Sequence, residues 1–375
     1  MTRRWVVLIL LMGTAVCGCV STPVKKGETV FYPSLPQRPR LQFLHSITDE
    51  GDLGKTGNSF KEFLTGESPR KKKFARPYDV AASKGKIYVL DRVYKKLLVV
   101  DLINKRFDHV KDERLGALQN PSGIWVTADD VKYVADMKRK QVVVYGPDNK
   151  YLRAYGSKDT FERPVDVVVH GSNVCVADMK KNRIFILNRE SGKVERTIGK
   201  LGSDEGYLYK PTHLAADGAG NIFVTDSFNF RAQKFDPNGK LLGTFGKVGD
   251  SVGSFARPKG LAIDREGRLY VSDAAFENVQ IFDEKTGRLL LFFGGPGSAP
   301  GCMYLPSGVH IDYDNVEYFD TYKDKDFDVK YLVYVVNMYG NRKLSVYGFG
   351  NWIGEPLPEP ERGSPEEESG KSNKE

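Results

Sequence analysis

The feature that most constrains this 375-residue chain is a ladder of prolines and acidic residues repeated six times. Pro77, Pro121, Pro164, Pro211, Pro258 and Pro306 are spaced by 44, 43, 47, 47 and 48 residues. A second ladder, Asp91, Asp136, Asp178, Asp226, Asp273 and Asn337, follows the first at 14 or 15 residues in five copies and at 31 in the sixth. Between the rungs apolar residues alternate with period two, which predicts strands. In the fourth copy, Lys210 to Gly246, strands are expected at about His213 to Ala216, Ile222 to Thr225, Arg231 to Phe235 and Lys240 to Phe245, separated by Gly/Asn and Asp-Pro-Asn-Gly turns. A four-stranded antiparallel sheet cannot bury both faces by itself, so the copies must stack. Six such sheets predict an all-β, six-bladed β-propeller.

The repeated pattern P-x-(G/D)-(V/I/L)-x-(V/A), then I-(Y/F)-V-x-D, then N-x-R-(I/V)-x-(V/F), resembles the NHL repeat, and the resemblance covers about Arg40 to Gly350. Composition agrees with that class: 38 Gly and 19 Pro supply turns, and the length suits a repeat array better than one compact core. Residues 40–47 (RLQFLHSI) alternate like the fourth strand of a blade, which the sixth copy lacks after Lys343 to Tyr347. The N-terminal strand is therefore expected to complete the last blade and close the ring, removing open sheet edges. Residues 48–73 read as an insertion, with a helical turn at Phe60 to Leu64 and a solvated basic run from Arg70 to Lys73. A second, acidic insertion spans Asp312 to Lys330. Its Asp324, Asp326 and Asp328 are spaced like the start of a calcium loop, but Val329 and Val335 stand where such a loop needs Gly and Glu. Residues 351–375 read as a disordered acidic tail.

The first 18 residues have the form of a signal peptide, with Arg3 and Arg4 ahead of the apolar run Trp5 to Val16, which is too short to span a bilayer. Val16-Cys17-Gly18-Cys19 resembles the lipobox of bacterial lipoproteins. The resemblance implies a Gram-negative lipoprotein acylated at Cys19 and, with Val20 next, sorted to the outer membrane; the acyl chains would anchor an otherwise water-soluble, monomeric domain facing the periplasm or the cell surface. Residues 19–39 then read as an extended tether. Net charge is +8, and +6 once the leader is removed. Cys175 and Cys302 fall on different blades and are expected to be unpaired.

In such a propeller the loops between strands two and three share a face with the starts of the first strands, here the top face. In the first three blades these loops carry Arg92, Lys95, Lys96, Lys138, Arg139, Lys140, Lys180, Lys181 and Arg183; in the last three they carry Phe228, Phe230, Phe276 and Tyr339. One half of the face is basic and the other aromatic. The Asp that opens each loop is expected to make the turn, by accepting backbone N–H groups two or three residues on. NHL-type propellers of eukaryotic proteins bind RNA through this face. An exported protein does not meet RNA, so the resemblance carries over the face and not that ligand. The expected partner is anionic: an envelope protein, a glycan or an exported cytochrome, engaged without catalysis and without a cofactor.

A second constellation lies two residues after each ladder proline: Asp79, Gly123, Asp166, His213, Gly260 and Gly308. These positions should ring the mouth of the central channel. Lactonases and amidating lyases of propeller fold hold a divalent metal in this region. Asp79, Asp166 and His213 are therefore the candidate calcium or zinc ligands of an alternative reading, a metal-dependent lyase or lactonase. Against it, three ring positions are Gly and the chain has only five His. No Ser/His/Asp, nucleotide-loop, zinc-type or C-x-x-C-H pattern occurs.

Overall fold

The computed structural model describes residues 29–54, 72–111 and 114–358. It is a ring of six antiparallel sheets, five of four strands and one of five. Every ladder proline begins the innermost strand of its blade: Pro77–Ser83, Pro121–Val126, Pro164–His170, Pro211–Ala216, Pro258–Ile263 and Pro306–Asp312. Every second-ladder residue ends the second strand and pairs with that proline, as in Pro77 with Asp91 and Pro306 with Asn337. Proline suits the position because its missing N–H falls at a strand end, where the ladder register also shifts.

The core is divided into six wedges, one between each pair of neighbouring blades. Leu90, Val99, Ile124, Val134 and Tyr145 fill the wedge between blades one and two, for example, and Phe223, Phe245, Phe255, Leu261 and Phe282 that between blades four and five. Because strands alternate, each blade supplies one set of side chains to the wedge before it and another to the wedge after it. Stacking therefore buries what a single sheet would expose. The crossovers that carry the chain from an outer strand to the next inner one are plugged by buried Phe161, Leu208, Phe255 and Met303.

The ring closes as the sequence implies. Leu41–Ile47 pairs antiparallel with Leu344–Trp352, the third strand of blade six, from Leu41 opposite Phe349 to Ile47 opposite Leu344. The tether reading of residues 19–39 is corrected in its second half: Val30–Tyr32 forms a fifth strand on the outside of the closing strand. It is held by more than its ladder. Phe31 is buried beside Phe327 and Trp352, and the Tyr32 hydroxyl donates to Gly301 O. The short run VFY carries no alternation long enough to announce a strand; its partners supply the reason for one.

The acidic insertion forms a 3₁₀ segment, Val316–Tyr322, on the bottom face. Phe319 packs on Tyr334, and Tyr322 stacks on His45 at 4.2 Å. The Asn315 side chain accepts from Gly85 N of blade one at 2.6 Å, so the insertion laps across the closure seam. Its carboxylates are used locally: Asp312 accepts from Tyr334 and Asn315, Asp324 from Asp326 N, and Asp328 pairs with Lys330. The expected helical turn at Phe60 to Leu64, Arg70 and Lys71, the Cys17–Cys19 region and most of the tail lie outside the described residues. Lys72 donates to Phe107 O, and the backbone of Lys73 forms an isolated antiparallel β-bridge with that of Asp49. Cys175 and Cys302 are both free.

Candidate functional site

The loops of the top face are held rigidly, and the second-ladder aspartates are the reason. In blade two, Asp136 Oδ1 accepts from Lys138 N and Arg139 N at 3.0 Å each, making the turn. Its Oδ2 accepts from Gln119 N at 2.6 Å, and Asn120 N bonds the same carboxylate, so the chain arriving at Pro121 is tied to the loop above it. Asp91, Asp178 and Asp273 repeat both halves of this clamp. Turn-making was legible in the sequence. The second half of the clamp joins residues some 16 positions apart and was not. In blade four Asp226 instead accepts from Tyr209 N and from the side chains of Asn229, Arg231 and Gln233. Asn337 does related work in blade six, accepting from Tyr304 N and donating to Arg342 O.

On this scaffold the expected partner-binding residues separate into two groups. Lys95 and Lys138 are exposed and Lys96 and Lys140 half-buried, and no carboxylate pairs with any of them among the described residues. Others are committed to their own blades. The Arg139 guanidinium donates to Leu115 O, Ala117 O and the Gln141 side chain, fastening the crossover into blade two. Lys180 pairs with Glu162, Lys181 donates to Thr160 O at 2.8 Å and lies over Phe185, and Arg183 donates to Lys181 O. On the aromatic half, Phe228 is 51% exposed, with Tyr209 at its edge and the Lys210 ammonium 4.2 Å above its ring. Tyr339 is 41% exposed, with Tyr304 beside it and Arg76 5.1 Å over it. Phe276 lines a cleft with Val252, and Phe230 packs inward against the wedge between blades four and five.

At the channel, three of the six ring positions are Gly because the inner strands nearly touch. A Cβ on Gly123 would lie 2.0 Å from Asp166 Oδ1, one on Gly308 2.2 Å from Asp79 Oδ1, and one on Gly260 2.1 Å from the carbonyl oxygen of Ser307. Asp79 and Asp166 then reach the other way. Asp79 Oδ2 accepts from Ile124 N at 2.8 Å and Asp166 Oδ2 from Leu214 N at 2.7 Å, so each carboxylate stitches its blade to the next. Burial, only partly offset by the Ile124 N–H, pushes Asp79 up to about 7. Burial and then the charge of Asp79 raise Asp166. His213 is buried with no well-formed hydrogen bond at either ring nitrogen; burial followed by the charge of Lys259 pushes it down to about 3, only partly offset by the Lys259 backbone close by. With Val80, Trp125, Leu261 and Val309 these side chains enclose a channel cavity of about 130 Å³. Among the described residues no three His, Cys, Asp or Glu side chains converge as metal ligands, so Asp79, Asp166 and His213 line one cavity without forming a triad.

Sequence reasoning missed the cations nearest the channel. The residue before the ladder proline is basic in four of six repeats, Arg76, Arg163, Lys210 and Arg257, and Lys259 follows Pro258. That periodicity was visible, but reading only the loops between strands two and three passes over it. Arg92 turns inward to join them, its guanidinium 4.2 Å over the Tyr78 ring. Among the described residues none of these six forms an ion pair.

The architecture defines the chain as a six-bladed β-propeller, and comparison with solved structures agrees. It is similar to a structural genomics protein of unknown function from Bacteroides thetaiotaomicron, with TM-score 0.56 and 15% identity over 82% of this chain and 75% of that one. It is also similar to a gluconolactonase from Xanthomonas campestris, with TM-score 0.52 and 14% identity over 88% and 100% of the two chains. A third similarity is to a catalytically inactive virginiamycin B lyase from Staphylococcus aureus bound to quinupristin, with TM-score 0.51 and 12% identity over 73% and 95%. At these identities the likeness is one of fold. No protein-family model matches the chain, and no curated protein matches it in sequence.

Proposed function

We propose that this protein is a non-catalytic binding or assembly scaffold of the NHL type, anchored in the Gram-negative outer membrane through lipid on Cys19, that engages an anionic partner with its top face. The observation that carries the reading is the imbalance of that face. Arg76, Arg92, Arg163, Lys210, Arg257 and Lys259 gather there without carboxylate partners, and Lys95 and Lys138 project around them. Exposed aromatic and aliphatic side chains, among them Tyr94, Tyr209, Phe228, Val252, Tyr304 and Tyr339, stand between the cations. Unpaired charge steers an oppositely charged surface, while exposed aromatic groups in the same face offer anchors that become buried on contact. The partner fitting this chemistry is an acidic segment of an envelope protein, an exported cytochrome or an anionic glycan.

The alternative, a metal-dependent lyase or lactonase working at the channel mouth, has the gluconolactonase and lyase likenesses in its favour only as fold. Asp79 and Asp166, its necessary ligands, already accept backbone N–H groups from neighbouring blades.

The test is affinity capture with the full lipoprotein, then kinetics with the captured partner. Charge reversal at Lys95 and Lys138 should slow association several-fold, and truncating Phe228 should speed dissociation, at roughly 1 to 3 kcal/mol for a buried aromatic anchor. A partner that binds both variants as tightly as the parent at low salt would place the functional surface elsewhere.

A further inference from the structure

The cations on the top face are not evenly spread, and those nearest the axis form a site of their own. Arg92 and Arg163 come from blades one and three and reach toward each other over blade two. Arg92 Nη2 and Arg163 Nε both lie within 4.0 Å of the same atom, Met137 Sδ, and Arg92 Nη2 is also 3.5 Å from Asn120 Oδ1. Met137 is the residue after Asp136, and its buried thioether offers neither guanidinium a charged partner. Below Arg92 lies Tyr78, and Tyr78 stacks on His213 with ring centres 5.7 Å apart. On the opposite side Lys259 stands beside the same histidine, half-buried, and is pushed down to about 8 by burial and then by the charges of Arg257 and Arg92.

Like charges are thus gathered on one face without a carboxylate among them, Arg92 and Lys259 half-buried and Arg163 and Arg257 exposed, an arrangement whose mutual repulsion an anion would relieve. The residues beneath do not neutralise it. Asp79 and Asp166 are bonded to backbone amides, and the environment of both favours the neutral acid. The buried ring of His213, with no well-formed hydrogen bond at either nitrogen and only the Lys259 backbone close by, is a second sign that the site is built to meet a polar group.

We propose that the top mouth of the central channel is an oxyanion-binding site, in which Arg92 and Arg163 hold a carboxylate or phosphate group above Tyr78 and His213, and Lys259 closes the side toward blade five. Guanidinium groups suit this ligand because each presents paired N–H donors in a plane that matches two oxygens of a carboxylate or phosphate. The cavity below is small, about 130 Å³, and is lined in part by Asp79, Asp166 and His213, so the anionic group seats above it rather than inside the channel. The ligand is therefore the terminal anion of a larger molecule or a small organic acid. This deepens the reading of the top face as the binding surface and names the point at which a partner's charged group would seat.

The experiment is calorimetric titration of the full-length protein in detergent with succinate and, separately, inorganic phosphate, at ionic strength held constant with chloride. Saturable binding of one or both probes is expected, the stronger of the two indicating which oxyanion the mouth prefers. Arg92→Gln combined with Arg163→Gln should weaken it roughly tenfold or more, as loss of charge-assisted bonds does. Lys193→Gln combined with Lys285→Gln, in exposed loops between the third and fourth strands of blades three and five and away from the top face, should leave it within twofold. A readout on the unaltered protein removes dependence on variant folding: the His213 ring resonances should shift with the same saturation as the heat. Absence of saturable binding for both probes up to about 10 mM, where affinity falls below that of an ordinary weak site, would overturn the proposal. So would a double variant that binds as the parent does. If instead charge reversal at Lys95 and Lys138 impairs partner capture while the mouth binds no anion, the scaffold reading stands and this one falls.

Discussion

At the scale of single residues the structure turns the channel ring from a list of polar and small positions into a packing constraint. A Cβ on any of the three glycines would meet backbone of the next blade at under 3.0 Å: Ser307 O for Gly260, Asp166 Cα for Gly123 and Asp79 Cα for Gly308. Gly123→Ala, Gly260→Ala and Gly308→Ala should therefore each destabilise by roughly 1 to 3 kcal/mol, the usual range for overpacking, or more. Chemical denaturation would rank them. The carboxylates make a pH prediction. Asp79 is pushed up to about 7 from an ordinary 3.8, so between about pH 4 and pH 7 the folded state binds more protons than the unfolded, and stability is lost as pH rises through that window. His213, pushed down from 6.5 to about 3, acts in the opposite sense, because there the unfolded state holds the extra proton and stability grows with pH. Asp166, also raised, acts in the same sense as Asp79, and His213 opposes both. Asp79→Asn, which mimics the neutral acid, should isolate the first: its melting temperature relative to the parent should improve as pH goes from 4 to 8. A difference that stays constant would show the carboxyl is not held neutral.

At the scale of elements the closing strands matter most. Removing residues through Ile47 takes away both Val30–Tyr32 and Leu41–Ile47, strips the outer edge of blade six and exposes its ladder groups. The expected outcome is aggregation, read by light scattering, because an open edge templates pairing with other chains. Residues 21–39 are more than a tether. Deletion through Pro39 removes Phe31 from its contacts with Phe327 and Trp352 and Tyr32 from Gly301, so it should lower stability measurably while leaving a folded monomer. Loss of the buried Phe31 ring should account for much of it, at roughly 3 kcal/mol, the low end for a Phe-to-Ala change in a core.

At the scale of the whole molecule two properties follow from charge and anchorage. If the top face meets an anionic surface, the affinity of the captured partner should fall as salt is raised from roughly 0.05 to 0.5 M, where the screening length shrinks from about 14 to about 4 Å. An affinity that does not change would mean that apolar contact, not charge, drives association. Cys19→Ser should release the protein from the membrane fraction while Cys17→Ser should not, as fractionation and immunoblotting would show. Equal retention of both would remove the lipoprotein reading.

The sequence by itself determined the number of blades, where each inner strand begins, where each second strand ends, and the closure at Leu41–Ile47. These depend on local alternation and on residue types recurring at one period, and both can be read along the chain. It also determined which loops share a face, since blade topology alone sends every loop between strands two and three to the same side. What only the tertiary structure decided are matters of neighbourhood across blades. Arg139, Lys180 and Lys181 look like free cations in sequence, yet each finds an acceptor on the crossover beside it. Arg92 and Arg163, 71 positions apart, meet over Met137 because blade two brings them together. Val30–Tyr32 is a strand because Phe31 and Tyr32 find buried partners on blade six and the crossover leading into it. The physical reason is the same in each case: a side chain's partner in a ring of stacked sheets is set by the angle between blades, and no spacing along the chain encodes that angle.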